Sequence, residues 1–104
     1  MTPANAIVAL DRQIASHGQD IAFQRGSTEQ QARGFVRGYK VEQLIGLITQ
    51  ADREVVVSPS SLGAYLPRIN DEFISMGVMG KVTAAEPIHM AGVLVRWNLR
   101  VRLT

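Results

Sequence analysis

The sequence contains no cysteine, which excludes disulfide bonds, thiolate metal sites and thiol nucleophiles together. This composition fits a reducing compartment. A basic amino-terminal segment is also missing, and the first apolar run ends at Asp11 and Arg12, so we expect neither a secretory signal nor a membrane span. A chain of 104 residues predicts one domain, residues 1–104, that is large enough to bury a modest core.

The sequence has little excess charge of either sign, because eleven basic and nine acidic residues give a formal charge of only +2. Nine of the eleven basic residues are nevertheless arginine, and the isoelectric point is about 9.5. A dedicated nucleic-acid binder usually clusters its basic residues, whereas these arginines alternate with apolar residues. The pattern therefore favours solvated strand faces over a nucleic-acid interface.

One long strand, from Val93 to Leu103, organises the rest of the chain. Its odd-numbered positions are five aliphatic residues and the single tryptophan, Trp97, and its even-numbered positions include three arginines. Because successive side chains of a strand point to opposite faces, this alternation predicts a buried face around Trp97 and a wet face carrying Arg96, Arg100 and Arg102.

A helix is predicted over residues Pro3–His17. Thr2 can cap it, Pro3 suits its first position, and Gly18 can end it in the left-handed conformation. Ile7, Leu10 and Ile14 form one apolar stripe, which predicts that the helix packs across a sheet.

Five further segments have the composition or alternation of strands. They are Asp20–Arg25, Gln31–Lys40, Asp52–Ser58, Glu72–Met76 and Lys81–Ala85. Polar turns are expected at Gly26–Gln31 and Gly77–Gly80, bends or bulges at Gly34 and Gly38, and a break of the ladder at Pro87. The prediction is an α+β chain, mainly β: a small antiparallel β-barrel or curled sheet over residues 20–103, with an N-terminal helix at residues 3–17 and long loops.

The segment Val41–Ala51 fits neither the helical nor the strand period, and it could be a hairpin tip or a short helix. Its apolar side chains, Leu44, Ile45, Leu47 and Ile48, surround Gly46. Apolar side chains without a regular period are unfavourable to leave in water. They could therefore cover the core of the domain or contact another protein, and the sequence leaves both interpretations open.

No constellation of residues predicts catalysis, a cofactor or a metal ion. His17 and His89 lie far apart, and each is expected at the surface. Asp71 and Glu72 are neighbours on a predicted strand, so they point to opposite faces and cannot form a carboxylate dyad. The stretch Gly77–Lys81 has two residues between its glycines where a phosphate-binding loop needs four, which favours a hairpin turn.

The order of these segments resembles the phage head-tail joining proteins, the small head-closure or stopper proteins of long-tailed bacteriophages and prophages. The resemblance is carried by ALDRQIASHGQDIAFQR, LIGLITQADREVVVSP, PRINDEF with VTAAEPI, and GVLVRWNLRVR, and it covers nearly the whole chain. The chain departs from the family at Gly80, where the family commonly has an aromatic or large apolar residue.

The resemblance implies a non-catalytic structural protein of the virion neck, made in the bacterial cytoplasm. Its copies would form a ring under the portal and its adaptor, close the DNA channel and present a surface to the tail-terminator protein. The isolated protein would be mainly monomeric, and non-specific contact with packaged DNA is allowed. The expected assembly contacts are Leu44, Ile45, Leu47, Ile48, Gln50, Asp52 and Arg53, and charge reversal within Gln50–Arg53 is expected to leave the domain folded.

Two alternatives remain open. A tail terminator or tail-completion protein would have similar size and architecture. A nucleic-acid-binding barrel of the OB kind would use Arg96, Arg100 and Arg102, although that class interleaves aromatic residues with basic ones and Trp97 is predicted on the opposite face.

Overall fold

The computed structural model describes residues 2–38 and 51–104. Within these residues, six antiparallel strands close into a barrel in the order β1-β2-β3-β6-β5-β4, with a helix at the N-terminus. The elements are α1 (Pro3–His17), β1 (Gln19–Arg25), β2 (Thr28–Gly38), β3 (Asp52–Val57), α2 (Pro59–Leu62), β4 (Glu72–Ser75), β5 (Val78–Met90) and β6 (Val93–Leu103). The predicted fold class is therefore confirmed.

The alternation along β6 builds one wall of the core. Trp97 is 8% exposed, and Leu99 and Val101 are buried with it. The alternation fails at the start of the strand, where Val93 is exposed and Leu94, predicted on the wet face, packs against the core. A register shift between the Ile88–Arg96 and His89–Leu94 pairs leaves Val95 as an extra residue on β6, which explains the change of face.

Helix α1 has the predicted bounds, and the Thr2 hydroxyl accepts a hydrogen bond from the Asn5 amide at 3.2 Å. The prediction of a left-handed Gly18 is wrong, since this residue is extended, with φ −82° and ψ −179°. Glycine is required there for another reason: a Cβ atom would lie 2.6 Å from the Ile14 carbonyl oxygen and 3.0 Å from that of Gly34. The chain thus passes directly from α1 into β1 through a close backbone approach.

Helix α1 contacts β6 and β2, the two strands that flank β3 in the barrel. Of the predicted stripe, Ile14 is fully buried, whereas Ile7 and Leu10 are half-buried. The helix therefore packs on the barrel through the predicted stripe, and Ile14 in its last turn is the most deeply buried member.

The turns are shorter than the sequence predicted. β2 begins at Thr28, so the connection from β1 consists of Gly26 and Ser27 rather than Gly26–Gln31. No bulge marks Gly34 or Gly38. Instead, β2 changes partner at Gly34, which pairs with Gln19 of β1 and also with Val57 of β3.

The predicted break at Pro87 is wrong, because β5 continues to Met90 with Pro87 opposite Trp97. β4 pairs with β5 only from Val78 to Lys81, so within residues 2–38 and 51–104 no strand of the barrel pairs with the other side of β5 at Pro87. A proline is tolerated at such an edge because its missing N–H has no ladder partner to lose.

Gly80 lies in β5 rather than in a turn, and it is buried. A Cβ atom at this position would lie 2.6 Å from the Arg102 carbonyl oxygen and 3.0 Å from Cγ1 of Val101. The departure of this chain from the expected large side chain therefore has a steric cause: β5 and β6 approach too closely here for one.

Candidate functional site

The predicted assembly contacts fall into two groups. Leu44, Ile45, Leu47, Ile48 and Gln50 lie outside the residues that the structure describes. Asp52 and Arg53 are described, as the first two residues of β3.

Asp52 is buried, with 1% of its surface exposed. Its carboxylate accepts hydrogen bonds from the Nε and Nη2 atoms of Arg102, at 3.0 and 3.3 Å, on the adjacent strand β6. This contact raises the pKa of the Arg102 guanidinium. Asp52 is therefore not a surface residue, which the expectation for charge reversal in Gln50–Arg53 required. Reversing its charge is expected to destabilise the fold, because two positive charges would lie together at a buried position.

Arg53 lies at one end of the barrel, beside a depression of about 240 Å³ that we call the barrel mouth. The barrel mouth is lined by Val36, Arg53, Phe73, Met76, Val78 and Leu103, among others. The start of β3, the end of β6 and the start of β5 all meet here, since Asp52 pairs with Arg102 and Arg102 with Lys81. Ala51, where the described chain resumes, lies at the same place, since its carbonyl accepts a hydrogen bond from the Leu103 amide at 3.0 Å.

Exposed apolar side chains project beside the barrel mouth. Met76, Val78 and Met79, which we call the methionine tip, are 79%, 44% and 51% exposed. Met76 and Gly77 form the turn between β4 and β5, and the Met79 carbonyl accepts a hydrogen bond from the Thr104 amide at 3.0 Å. The sequence predicted only a turn in this region, although three apolar residues around Gly77 were a visible signal.

The backbone of Met76 is as unusual as its exposure, because its φ is +51°. A non-glycine residue is strained in the left-handed region, and tight hairpin turns normally place asparagine, aspartate or glycine there. Neither local conformation nor burial therefore favours methionine at position 76. A strained and exposed apolar side chain is a feature that binding sites retain and monomer stability does not select.

A second cluster forms around Asp71, at the end of the loop that precedes β4. Asp71 is 3% exposed and accepts hydrogen bonds from Nε and Nη2 of Arg25, at 2.7 and 2.8 Å. The Tyr65 hydroxyl donates at 2.7 Å and the Arg68 amide at 2.9 Å. The Asp71 carbonyl also accepts from the Val82 amide, which fixes the loop to β5. We call these side chains the Asp71 network.

The Asp71 network shifts the pKa of its members in opposite directions. Burial alone would raise the pKa of Asp71, but the hydrogen bonds from Arg25, Tyr65 and the Arg68 amide outweigh it, and the pKa is lowered. Burial, and then the hydrogen bond to Asp71, raise the pKa of Tyr65 to about 12. Both shifts favour an ionised aspartate and a neutral tyrosine, which is the pairing that holds the loop together.

Arg25 and Phe23 extend this network into the core. The Arg25 guanidinium lies 4.8 Å from the centroid of the Tyr65 ring, and that ring stacks on Phe23 at 5.9 Å. Asp71, Tyr65 and the Nε and Nη2 atoms of Arg25 all have partners inside the domain. Its chemistry is that of a structural clamp, and Glu72, the predicted neighbour on the opposite face, is exposed and takes no part in it.

An open apolar groove of about 300 Å³ separates α1 from the hairpin of β5 and β6. We call it the α1–hairpin groove. It is lined by Ala6, Ala9, Leu10, Ile88, Met90 and Val95, with Gln13 and Arg96 contributing polar atoms. The two alanines keep it open, because a larger side chain at either position would occupy it.

Two of the three arginines on β6 donate hydrogen bonds within the domain, and the third, Arg96, is exposed. Arg100 donates to the Thr83 hydroxyl at 3.1 Å, Arg102 binds Asp52, and Arg96 lines the α1–hairpin groove. Trp97 faces the core, as predicted, so it cannot stack on bases beside these arginines. This arrangement does not favour the OB-like alternative.

The described residues contain neither a metal-binding cluster nor a membrane-spanning helix. His17 and His89 are both exposed, and across residues 2–38 and 51–104 no three histidine, aspartate or glutamate side chains lie close enough to hold a metal ion. No helix in the described part of the chain combines the length and apolar character needed to cross a membrane.

Comparison of the chain with models of protein families gave no match. Comparisons with curated proteins and with solved structures gave no match either.

Proposed function

We propose that this protein is a non-catalytic subunit of the head-tail junction of a tailed bacteriophage or prophage, acting in head closure. Copies would form a ring beneath the portal and adaptor and present a surface to the tail terminator. The proposal starts from the resemblance of nearly the whole sequence to head-tail joining proteins, whose expected fold, a small barrel with an N-terminal helix, agrees with the one observed.

The observation that carries the proposal is the position of the methionine tip. It lies beside the barrel mouth, the end of the barrel at which β3 begins. The exposed side chains of Met76 and Val78 therefore border the same depression as Arg53, one of the predicted assembly contacts, and Met79 is exposed beside them. A subunit that works by binding other proteins needs such an end, because apolar side chains are stabilising once a partner removes them from water.

The decisive test is electron microscopy of lysates from the phage or prophage after deletion of this gene. We expect DNA-filled heads and finished tails that do not join, and full recovery when the wild-type gene is supplied on a plasmid. A plasmid carrying Asp20→Asn is the matched control, because Asp20 is exposed and its pair with Arg33 is a surface ion pair.

Three other outcomes would contradict head closure. Empty heads would place the protein in DNA packaging. Absent or overlong tails would favour the tail-terminator alternative. Normal infectious particles would remove it from the virion.

The nucleic-acid alternative is tested separately by filter binding of the purified protein to single-stranded DNA at moderate salt. Since Arg100 and Arg102 are engaged by Thr83 and Asp52, we expect little retention. Tight, salt-resistant retention that is lost in Arg96→Ala would overturn this expectation.

A further inference from the structure

We infer that the methionine tip of one copy of this chain docks into the α1–hairpin groove of a second copy. The inference deepens the proposed function, on which it rests for the idea that the subunits form a ring. It names the two surfaces that would make the contact between neighbours.

The first argument is chemical complementarity between two surfaces of the same chain. The tip offers two unbranched methionine side chains, which adapt their shape to narrow apolar sites. The groove is apolar, is kept open by Ala6 and Ala9, and at about 300 Å³ lies at the small end of the range for binding pockets. It therefore has room for one or two side chains.

The second argument is that the tip cannot reach the groove of its own chain. The tip is at the beginning of β5, and Ile88 and Met90 bring the end of the same strand into the groove. The two therefore lie at opposite ends of a 13-residue strand, in a domain whose longest dimension is 37 Å. The tip thus reaches a groove of this kind only on another molecule.

The third argument comes from symmetry. Tip and groove are different surfaces, so the contact is heterologous, and each subunit that uses its tip still offers its groove to the next. Repetition of one such contact closes into a ring or continues as a filament, depending on the rotation between neighbours. A two-fold dimer, by contrast, would use the same surface twice and stop.

The conformation of Met76 provides independent support. Its positive φ and 79% exposure are unfavourable in the free subunit. Asparagine would suit the same backbone better, so a contact that needs methionine explains why that residue is present.

Methionine methyl groups allow the contact to be measured directly. The chain has four methionines, of which Met76 and Met79 are in the tip and Met90 is in the groove. We expect the methyl resonances of all three to shift together as the protein is concentrated to about 1 mM, with one dissociation constant. Shifts of the tip residues without Met90, or no shift in any of them, would overturn the inference.

Two variants test the surfaces separately. Met76→Asn removes the tip side chain, and Ala9→Arg fills the groove from a helical position. Each is expected to raise the dissociation constant at least tenfold, measured by sedimentation. The controls are Ile69→Asn, which removes another exposed apolar side chain, and Ser16→Arg, which adds the same charge elsewhere on α1. Both controls should associate like the wild type.

Mixing the two variants gives the sharpest result. Met76→Asn keeps a functional groove and Ala9→Arg keeps a functional tip, so an equimolar mixture should form one-to-one heterodimers and nothing larger. Failure of the mixture to associate, when the wild type does and both variants melt like it, would show that tip and groove are not partners.

Failure of the docking inference can be distinguished from failure of the proposed head-closure function. Association through tip and groove together with normal particles after gene deletion would remove the head-closure role alone. Unjoined heads and tails together with no self-association through these surfaces would remove the docking inference alone, and would leave the tip for a different protein of the junction.

Discussion

The two connections that flank β4 use their side chains in opposite ways. Before the strand, Asp71 is buried and receives hydrogen bonds from Arg25, Tyr65 and the Arg68 amide. After the strand, Met76 is strained, apolar and 79% exposed. The side chains of the first connection stabilise the folded chain, whereas Met76 in the second does not. Positions where residue type and stability disagree tend to mark functional sites.

The largest loss of stability is expected from a substitution in the core, and the effects at the two connections can be compared with it. Trp97 packs among the buried side chains of the barrel, and truncating a buried tryptophan costs about 3 to 5 kcal/mol. Trp97→Ala should therefore lose much of the free energy of unfolding and give a broad or early thermal transition. An unchanged melting temperature would mean that the two faces of β6 are reversed.

The Asp71 connection should be the next most sensitive. Asp71→Asn takes the carboxylate from Arg25, but that guanidinium is 36% exposed, so the loss should be smaller than for a fully buried pair, about 1 to 3 kcal/mol for the charge-assisted hydrogen bonds. Because the pKa of Asp71 is lowered, its contribution is present above the unfolded pKa of about 4 and is lost as the pH falls through the lower folded value. The difference from wild type, measured by urea unfolding, should therefore shrink in acid.

The matched control for that variant is Asp20→Asn. Asp20 also pairs with an arginine, Arg33, at 2.9 Å, but its side chain is 85% exposed. An exposed pair contributes about 0 to 1 kcal/mol, so this variant should unfold almost like the wild type. Equal losses in the two variants would contradict the structural importance given to burial of Asp71.

Tyr65 should give a smaller effect, at alkaline pH. Its pKa is raised to about 12 in the folded protein, against about 10 in an unfolded chain. Its contribution to stability is therefore complete below about pH 10 and is lost as the pH rises toward the folded value. Tyr65→Phe should be less stable at neutral pH and should lose less further stability between about pH 10 and 12 than the wild type. Parallel curves for the two proteins would contradict the raised pKa.

The sequence predicted the elements that are governed by local pattern. The bounds of α1 and β6 agree with their capping residues and alternation, and the buried face of Trp97 follows from the same period. The extent of β5 was missed, because Pro87 normally interrupts a ladder and its edge position depends on where β4 ends. Gly80 was misplaced in a turn for a similar reason, since its close approach to β6 is a tertiary contact.

The site was less predictable than the fold. Asp52 follows an irregular apolar segment, and its charge suggested a surface position. Its burial depends on pairing with Arg102, which lies 50 residues away in the sequence and cannot be predicted from local pattern. The partners of Asp71 come from β1 and from the preceding loop, so no local sequence motif predicts the Asp71 network. The methionine tip was visible as residue types, but exposure and the φ of Met76 come only from the folded chain.

Met76→Asn has the smallest expected effect on stability, and it tests most directly whether the turn after β4 contributes to the stability of the monomer. Met76→Asn places at φ +51° a residue that tolerates the left-handed region, so the folded domain should be unchanged or up to about 1 kcal/mol more stable. Ala91→Asn is the matched substitution, because Ala91 has the same φ, is exposed and lies in the turn between β5 and β6. Thermal melts of both variants should show the same small gain, since the backbone strain relieved is the same. If Met76→Asn instead destabilises the monomer while Ala91→Asn does not, then Met76 makes contacts within its own chain, and its exposure and strain would no longer point to a partner.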